Sequence, residues 1–68
     1  DFILFNESKF KKIVQQQGFT LEEVANYLKI NPSTLYRKMK GQSDFYRFEI
    51  QALCELLHIE EPSEIFFA

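Results

Sequence analysis

The sequence is short of the residues that build several classes of site. It has one cysteine, Cys54, and one histidine, His58, so it can form no internal disulfide and cannot complete a four-ligand zinc site. With only two glycines it has no phosphate-cradling glycine-rich loop. No apolar run approaches the roughly 20 residues that cross a bilayer, and the N-terminus lacks a signal-peptide layout. We expect a cytoplasmic protein with no membrane partner, because an unpaired cysteine suits a reducing compartment.

Enzyme chemistry is also unsupported by the residues present. Cys54 and His58 are four residues apart on one predicted helix, but Cys54 lies in an apolar stripe and no third group completes a catalytic or metal-binding set. The sequence predicts no enzyme, no cofactor and no metal site.

Apolar residues are plentiful and charge is unevenly distributed. The 68 residues are 46% hydrophobic and include eight phenylalanines, enough for the core of one domain, 1–68. The net charge is −2, but residues 29–47 hold five basic residues against one acidic residue, and residues 48–68 hold five glutamates and no lysine or arginine. A local positive patch is what a polyanion experiences, so the distribution favours nucleic acid more than the net charge does.

The segment 20–41 predicts two short helices joined by a tight turn. Thr20 and Glu23 have the spacing of a capping box, and the apolar residues that follow recur with a helical period. Asn31 and Pro32 form a second helix start, and Gly41 is a natural left-handed end. Only two residues separate the first helix from the second cap, so the helices must cross steeply, as in a helix-turn-helix.

This segment resembles the DNA-binding motif of the phage-repressor family (lambda-repressor-like, Cro/CI type). The resemblance covers roughly residues 10–67. It depends on Gly18, Phe19, Thr20, Glu22, Glu23, Val24, Ala25, Leu28, Ile30, Asn31, Ser33, Thr34, Leu35, Arg37 and Gly41. Two positions depart from the family pattern. Leu21 replaces a glutamine that commonly contacts phosphate, and Lys29 replaces a turn glycine and would need a positive φ.

The rest of the chain predicts further helices, giving an all-α, compact four- to five-helix bundle. A first helix is capped by Asn6 or Ser8 and ends at Gly18, a fourth spans about 47–57 with Ile50, Leu53 and Leu57 buried, and a short fifth starts near Pro62. Because Tyr46 has no short capping oxygen, we expect the fourth helix to be capped weakly or by Asp44. The lead-in 2–5 is left open between an edge strand, part of a preceding segment and an apolar arm. Phe66 and Phe67 either close the core, contact a second copy or meet a following segment.

The resemblance implies that helix 32–40 enters the major groove of DNA. The predicted base-contacting residues are Pro32, Ser33, Tyr36 and Arg37. The predicted phosphate-contacting residues are Thr20, Asn31, Thr34, Lys38, Lys40, Gln42, Ser43, Tyr46 and Arg47. Arg37 is the first choice for base reading, because its guanidinium can bind guanine O6 and N7 together.

Two functions follow from the sequence. The leading one is a sequence-specific double-stranded DNA-binding domain of a transcriptional repressor or regulator of phage or mobile-element type, located at the nucleoid. It would bind palindromic operator half-sites as a homodimer. The contact between the two copies would be made by this chain or by additional chain segments. The alternative is a protein-interaction module that keeps the fold but binds an antirepressor or toxin partner instead of DNA. Net charge −2, Leu21 and Pro32 favour this alternative.

Overall fold

Five helices account for the regular structure of residues 5–66. The structure, a computed structural model, describes residues 5–66. Within that range the helices are α1 (Glu7–Gln16), α2 (Leu21–Leu28), α3 (Pro32–Met39), α4 (Arg47–Leu57) and α5 (Ser63–Phe66), with no strand. Helix α2 packs against α3 and α4, and α1 packs against α5. The predicted all-α helical bundle is confirmed.

Local capping chemistry explains where α1 begins and ends. The Asn6 side chain accepts a hydrogen bond from the Lys9 backbone N–H at 3.1 Å, so Asn6 rather than Ser8 is the cap. Gly18 follows the helix with φ of 81°, a left-handed conformation that costs glycine little. Phe10 and Val14, one turn apart, supply the buried face of α1.

A cluster of aromatic rings joins the two ends of the described chain. The Phe5 ring centre lies 5.2 Å from that of Phe10 and 4.9 Å from that of Phe45, and the Phe45 ring meets Phe66 edge-on at 5.4 Å. A backbone hydrogen bond reinforces this junction, because the Asn6 N–H donates to the Ile65 carbonyl at 2.7 Å. Phe5 and Phe66 therefore close the core. Residues 2–4 of the lead-in and Phe67 lie outside the described residues.

The buried stripe of α4 differs from the predicted one. Leu53 and Leu57 are buried as expected, but Glu49 is also buried and Ile50 only partly so. A carboxylate can occupy that position because it accepts the Tyr46 backbone N–H at 2.8 Å and pairs with a lysine described below. Tyr46, not Asp44, is the N-cap residue, and its side chain makes no capping bond.

Candidate nucleic-acid interface

The first helix of the predicted motif is fixed by its capping box. The Thr20 hydroxyl accepts from the Glu23 N–H at 3.1 Å, and the Glu23 carboxylate accepts from the Thr20 N–H at 2.9 Å. Both bonds were predicted from the three-residue spacing of Thr20 and Glu23 and are confirmed. These two bonds fix the N-terminus of α2. The remaining backbone N–H groups of its first turn lie at this end of the helix.

The turn between α2 and α3 has the geometry that the sequence requires. Lys29 adopts φ of 61° and ψ of 40°, the left-handed conformation expected where relatives carry glycine. The Ile30 N–H donates to the Ala25 carbonyl at 3.0 Å, and the Ala25 side chain is fully buried. A methyl side chain at this position allows α2 and α3 to approach closely, which sets the crossing of the two helices.

Helix α3 presents one buried and one exposed face. Leu35 and Met39 are buried, whereas Ser33, Tyr36 and Arg37 are exposed, as predicted from their spacing. The remaining predicted contacts on this helix, Pro32 and Thr34, are half-buried. The exposed side chains occupy the N-terminal and middle turns, the part of a recognition helix that meets base edges in a major-groove complex.

Asn31 occupies the N-cap position of α3 but does not cap it with its side chain. Its backbone carbonyl accepts from the N–H groups of Thr34 and Leu35 at 3.0 and 3.1 Å, while its side chain makes no capping hydrogen bond. The prediction that the Asn31 side chain caps the helix is therefore wrong. Pro32 at the first helical position needs no N–H partner, which makes the start of α3 tolerable without that bond.

Lys38 is buried, which corrects its assignment as a phosphate contact. Its side chain is 5% exposed, and its ammonium donates to a Glu49 carboxylate oxygen and to the Asp44 carbonyl, each at 3.0 Å. The Tyr46 ring covers the same ammonium, with its centre 4.0 Å away. All three N–H groups of the ammonium are thus directed at groups of the protein, so Lys38 is withdrawn from the phosphate-contacting set.

The other predicted phosphate contacts flank α3 at the surface. Gln42, Ser43, Tyr46 and Arg47 are exposed, and Lys40 is exposed at the C-terminal end of α3. These positions follow one another along the loop between α3 and α4 and into the first turn of α4. Their contact with DNA stays a prediction.

Lys40 has a partner within the chain that the sequence analysis missed. Its ammonium donates to both carboxylate oxygens of Glu7, at 3.0 and 3.2 Å, and Lys11 lies 3.0 Å from the same carboxylate. Hydrogen bonds from Lys40 and Lys11 lower the pKa of Glu7 below its ordinary value of 4.5. Only the Glu7–Lys11 spacing of four residues was visible beforehand, since the Lys40 contact joins distant segments.

The lone cysteine and histidine form no site with other residues. His58 ends α4 in the left-handed conformation, with φ of 56°. Burial, with Glu55 adding a smaller effect, raises the pKa of the Cys54 thiol. Within residues 5–66 there is no group of three His, Cys, Asp or Glu side chains that could hold a metal ion, and no helix of that range is long and apolar enough to cross a membrane.

Comparison with known proteins supports the class that this geometry defines. A family model described as bacterial regulatory protein, Fis family, matches residues 11–41, the segment from α1 through α3. No curated protein and no solved structure matches the chain. The fold and the family match agree that the chain contains a helix-turn-helix domain of the kind found in DNA-binding regulatory proteins. The narrower lambda-repressor-like, Cro/CI-type assignment stays a prediction.

Proposed function

We propose that this chain is the sequence-specific double-stranded DNA-binding domain of a transcriptional repressor or regulator, of phage or mobile-element type. The observation that carries the proposal is the exposed face of α3. That face carries Arg37 and Ser33, and the buried Leu35 and Met39 hold the helix to the core from behind. A helix held in this way can enter the major groove as a rigid element.

Base reading is assigned to the exposed face of α3. Arg37 presents five N–H donors and can bind the O6 and N7 atoms of a guanine together. Ser33 donates or accepts, so it discriminates less. Tyr36, 45% exposed, is placed to contact a base edge or the adjoining sugar and phosphate, and Pro32 offers only apolar contact to a thymine methyl.

Phosphate contacts are assigned to the two helix N-termini and to the exposed rim of α3. The rim contributes two cations, Lys40 and Arg47, together with the polar Gln42 and Ser43. The backbone N–H groups that the caps do not use at the starts of α2 and α3, those of Leu21, Glu22 and Ser33, add neutral donors at the positive ends of helix dipoles.

A second copy bound to a palindromic operator fits this proposal, because one recognition helix spans only a few base pairs. Two copies on half-sites one helical turn apart would double the contacts. The contact between copies is assigned either to this chain or to further segments of a longer one, and such a complex belongs at the nucleoid of a cytoplasm.

The alternative function, an interaction module for an antirepressor or toxin partner, is favoured by one observation. Tyr46 and Phe48 are 60% and 65% exposed and stack on each other with ring centres 5.8 Å apart. Exposed aromatic side chains of this size are enriched at protein interfaces. The net charge of −2 also disfavours non-specific DNA affinity.

Selection from a randomised duplex pool, followed by fluorescence anisotropy at two salt concentrations, tests the proposal. Counterion release by two cationic contacts per copy predicts an affinity loss of roughly tenfold between about 50 and 200 mM salt, and of roughly a hundredfold for two copies. Enrichment of a palindrome with this salt dependence supports the operator-binding function. No enrichment, with weak and salt-insensitive binding, would contradict it and favour the interaction module.

The same titrations are made on Lys40→Ala, which removes one predicted phosphate contact, and its matched control is Lys12→Ala. Lys12 is exposed on the side of α1 that carries Lys9, which pairs with Glu64 of α5 rather than with α3. The substitution removes the same charge as Lys40→Ala but outside the predicted interface. Its salt dependence should match that of the wild type.

A further inference from the structure

The strongest unexplained feature of the molecule is a buried ion pair behind the recognition helix. Lys38 and Glu49 are 5% and 2% exposed, with Nζ and Oε1 3.0 Å apart. A buried pair of this kind contributes little net stability, because desolvation of both charges offsets most of their attraction. Its presence in a domain with ample apolar residues therefore calls for a role besides stability.

The pair connects three successive parts of the chain. Lys38 belongs to α3 and Glu49 to α4, and between them runs the loop that precedes Tyr46. The ammonium donates to the Asp44 carbonyl at 3.0 Å, and the carboxylate oxygen that binds Lys38 also accepts the Tyr46 N–H at 2.8 Å. Both polar groups of the pair thus hold the backbone of the same loop, at two points two residues apart.

The loop held in this way carries exposed groups of the predicted interface. Gln42 and Ser43 precede the first held point, and Arg47 follows the second. The centre of the Tyr46 ring lies 4.0 Å from the Lys38 ammonium. This cation–π contact holds the Tyr46 side chain in addition to its backbone. Without these bonds the loop would gain conformational freedom that DNA binding must remove.

We propose that Lys38 is a positioning residue: with Glu49 it forms a clamp that holds loop 42–47 in the conformation that contacts DNA phosphates, without itself touching DNA. This rests on the proposed function and adds to it a determinant of affinity inside the protein. The clamp acts on the sequence-independent part of binding. The base reading of Arg37, whose side chain is exposed and not part of the clamp, is unaffected.

The decisive variant replaces both charges, Lys38→Met with Glu49→Leu. Truncating one partner alone would leave the other charge buried without the hydrogen-bond partner it has in the pair and would be strongly destabilising, whereas an apolar pair of similar volume is tolerated. The double variant therefore stays folded while the loop loses its bonds at Asp44 and Tyr46. The matched control is Lys9→Met with Glu64→Leu, an exposed Lys–Glu pair that joins α1 to α5 and has no contact with the loop.

Three measurements are made on both double variants. In the clamp variant, amide hydrogen exchange over residues 42–46 rises by about tenfold or more, while exchange in α2 and α4 stays near wild type. Affinity for the selected duplex falls by about tenfold, and the slope of log affinity against log salt falls by about one per copy. The base preference is unchanged. The control variant alters none of these.

Other outcomes overturn the proposal. A folded clamp variant with wild-type loop exchange, or with wild-type affinity and salt slope for a duplex that the wild type binds, shows that the pair does not position the loop. If the wild type binds no duplex, the proposed function fails and with it the DNA role of the clamp. The exchange measurement still decides whether the pair holds the loop.

A second variant keeps the test valid if the double variant does not fold. Glu49→Gln preserves the shape and one acceptor oxygen but makes both hydrogen bonds neutral on the acceptor side, which roughly halves their strength. Exchange over residues 42–46 should then rise by about threefold or more. A folded Glu49→Gln variant with unchanged exchange overturns the proposal.

Discussion

At the scale of single residues, Arg37 and Lys40 offer DNA different kinds of contact. Arg37 lies on the exposed face of α3 and Lys40 at its C-terminal end. We predict that Arg37→Ala relaxes the preference at one base position and costs about 1–3 kcal/mol on the best site, because a bidentate base contact is lost. Lys40→Ala should weaken all duplexes alike and lower the salt slope by about one.

Binding-site selection with the two variants and with the Lys12→Ala control checks this assignment. The preference profile of Lys40→Ala should overlay that of the wild type, and the profile of Arg37→Ala should flatten at one position of each half-site. The same altered preference in both variants would show that the division into base and phosphate contacts is wrong.

At the scale of elements, one ion pair connects the end of α3 to the start of α1 and, if Lys40 contacts phosphate as proposed, competes with DNA. The Glu7 carboxylate binds the Lys40 ammonium at two points and Lys11 at a third. A phosphate must displace this carboxylate to reach Lys40. We predict that Glu7→Gln raises affinity for all duplexes by about 1.4- to fivefold, the range of an exposed ion pair of about 0.2–1 kcal/mol.

Anisotropy titrations at low salt measure this effect. Glu60→Gln provides the control, because it removes one negative charge from an exposed position beyond α4. An equal gain in affinity for the two variants would show that only net charge matters and that Lys40 is not restrained by Glu7.

The same pair makes the attachment of α1 depend on pH. Because the pKa of Glu7 is lowered in the folded protein from its ordinary value of 4.5, its contribution to stability is present above about pH 4.5 and is lost as the pH falls through the folded-state pKa. Wild type should exceed Glu7→Gln in unfolding free energy by about 0.2–1 kcal/mol at pH 6, and the two should converge as the pH falls through the folded-state pKa of Glu7. Urea titrations at several pH values measure the difference, and a constant difference would contradict the assignment.

The elements themselves could be predicted from the sequence to the extent that local chemistry determines them. The Thr20–Glu23 capping box and the glycines at 18 and 41 each act within a few residues, so spacing alone located the helix ends. His58 did not fit that logic, since it takes a left-handed conformation where no glycine or asparagine marks it. The N–H groups of His58 and Ile59 both donate to the Cys54 carbonyl, so this left-handed residue closes the end of α4 although its residue type does not announce it.

Contacts between distant segments could not be predicted at the scale of the whole molecule. The pairing of Lys38 with Glu49 could not be predicted from the sequence, because helical period alone cannot distinguish an exposed polar residue from a buried, paired one. The exposed face of α3 was predictable because it is the complement of Leu35 and Met39 on a single helix. The conformation of the loop before α4, which the Lys38–Glu49 pair holds at Asp44 and Tyr46, was not predictable.

The helix-turn-helix depends on the whole chain for its stability. The family match ends at residue 41, but the buried cluster that supports α2 and α3 continues through α4 and α5. Phe66, 5% exposed, contacts the rings of Phe5 and Phe45 and so joins both ends of the described segment 5–66 to the loop before α4. Loss of the Phe66 contacts should therefore destabilise α2 and α3 as well as α5.

We predict that Phe66→Ala destabilises the protein by about 3–5 kcal/mol, through lost burial and the cavity left among the rings. A chain of this size has a total stability near the low end of about 5–15 kcal/mol, so the variant should be largely unfolded near 37 °C and should lose DNA binding together with its helical signal. Phe66→Leu, which fills most of the space, is the control and should lose less than half as much. Circular dichroism melts and duplex titrations on the same samples measure both losses. If Phe66→Ala melted in two steps, with α2 and α3 persisting and still binding the duplex, the recognition motif would be an independent unit and the shared core would not be what holds it.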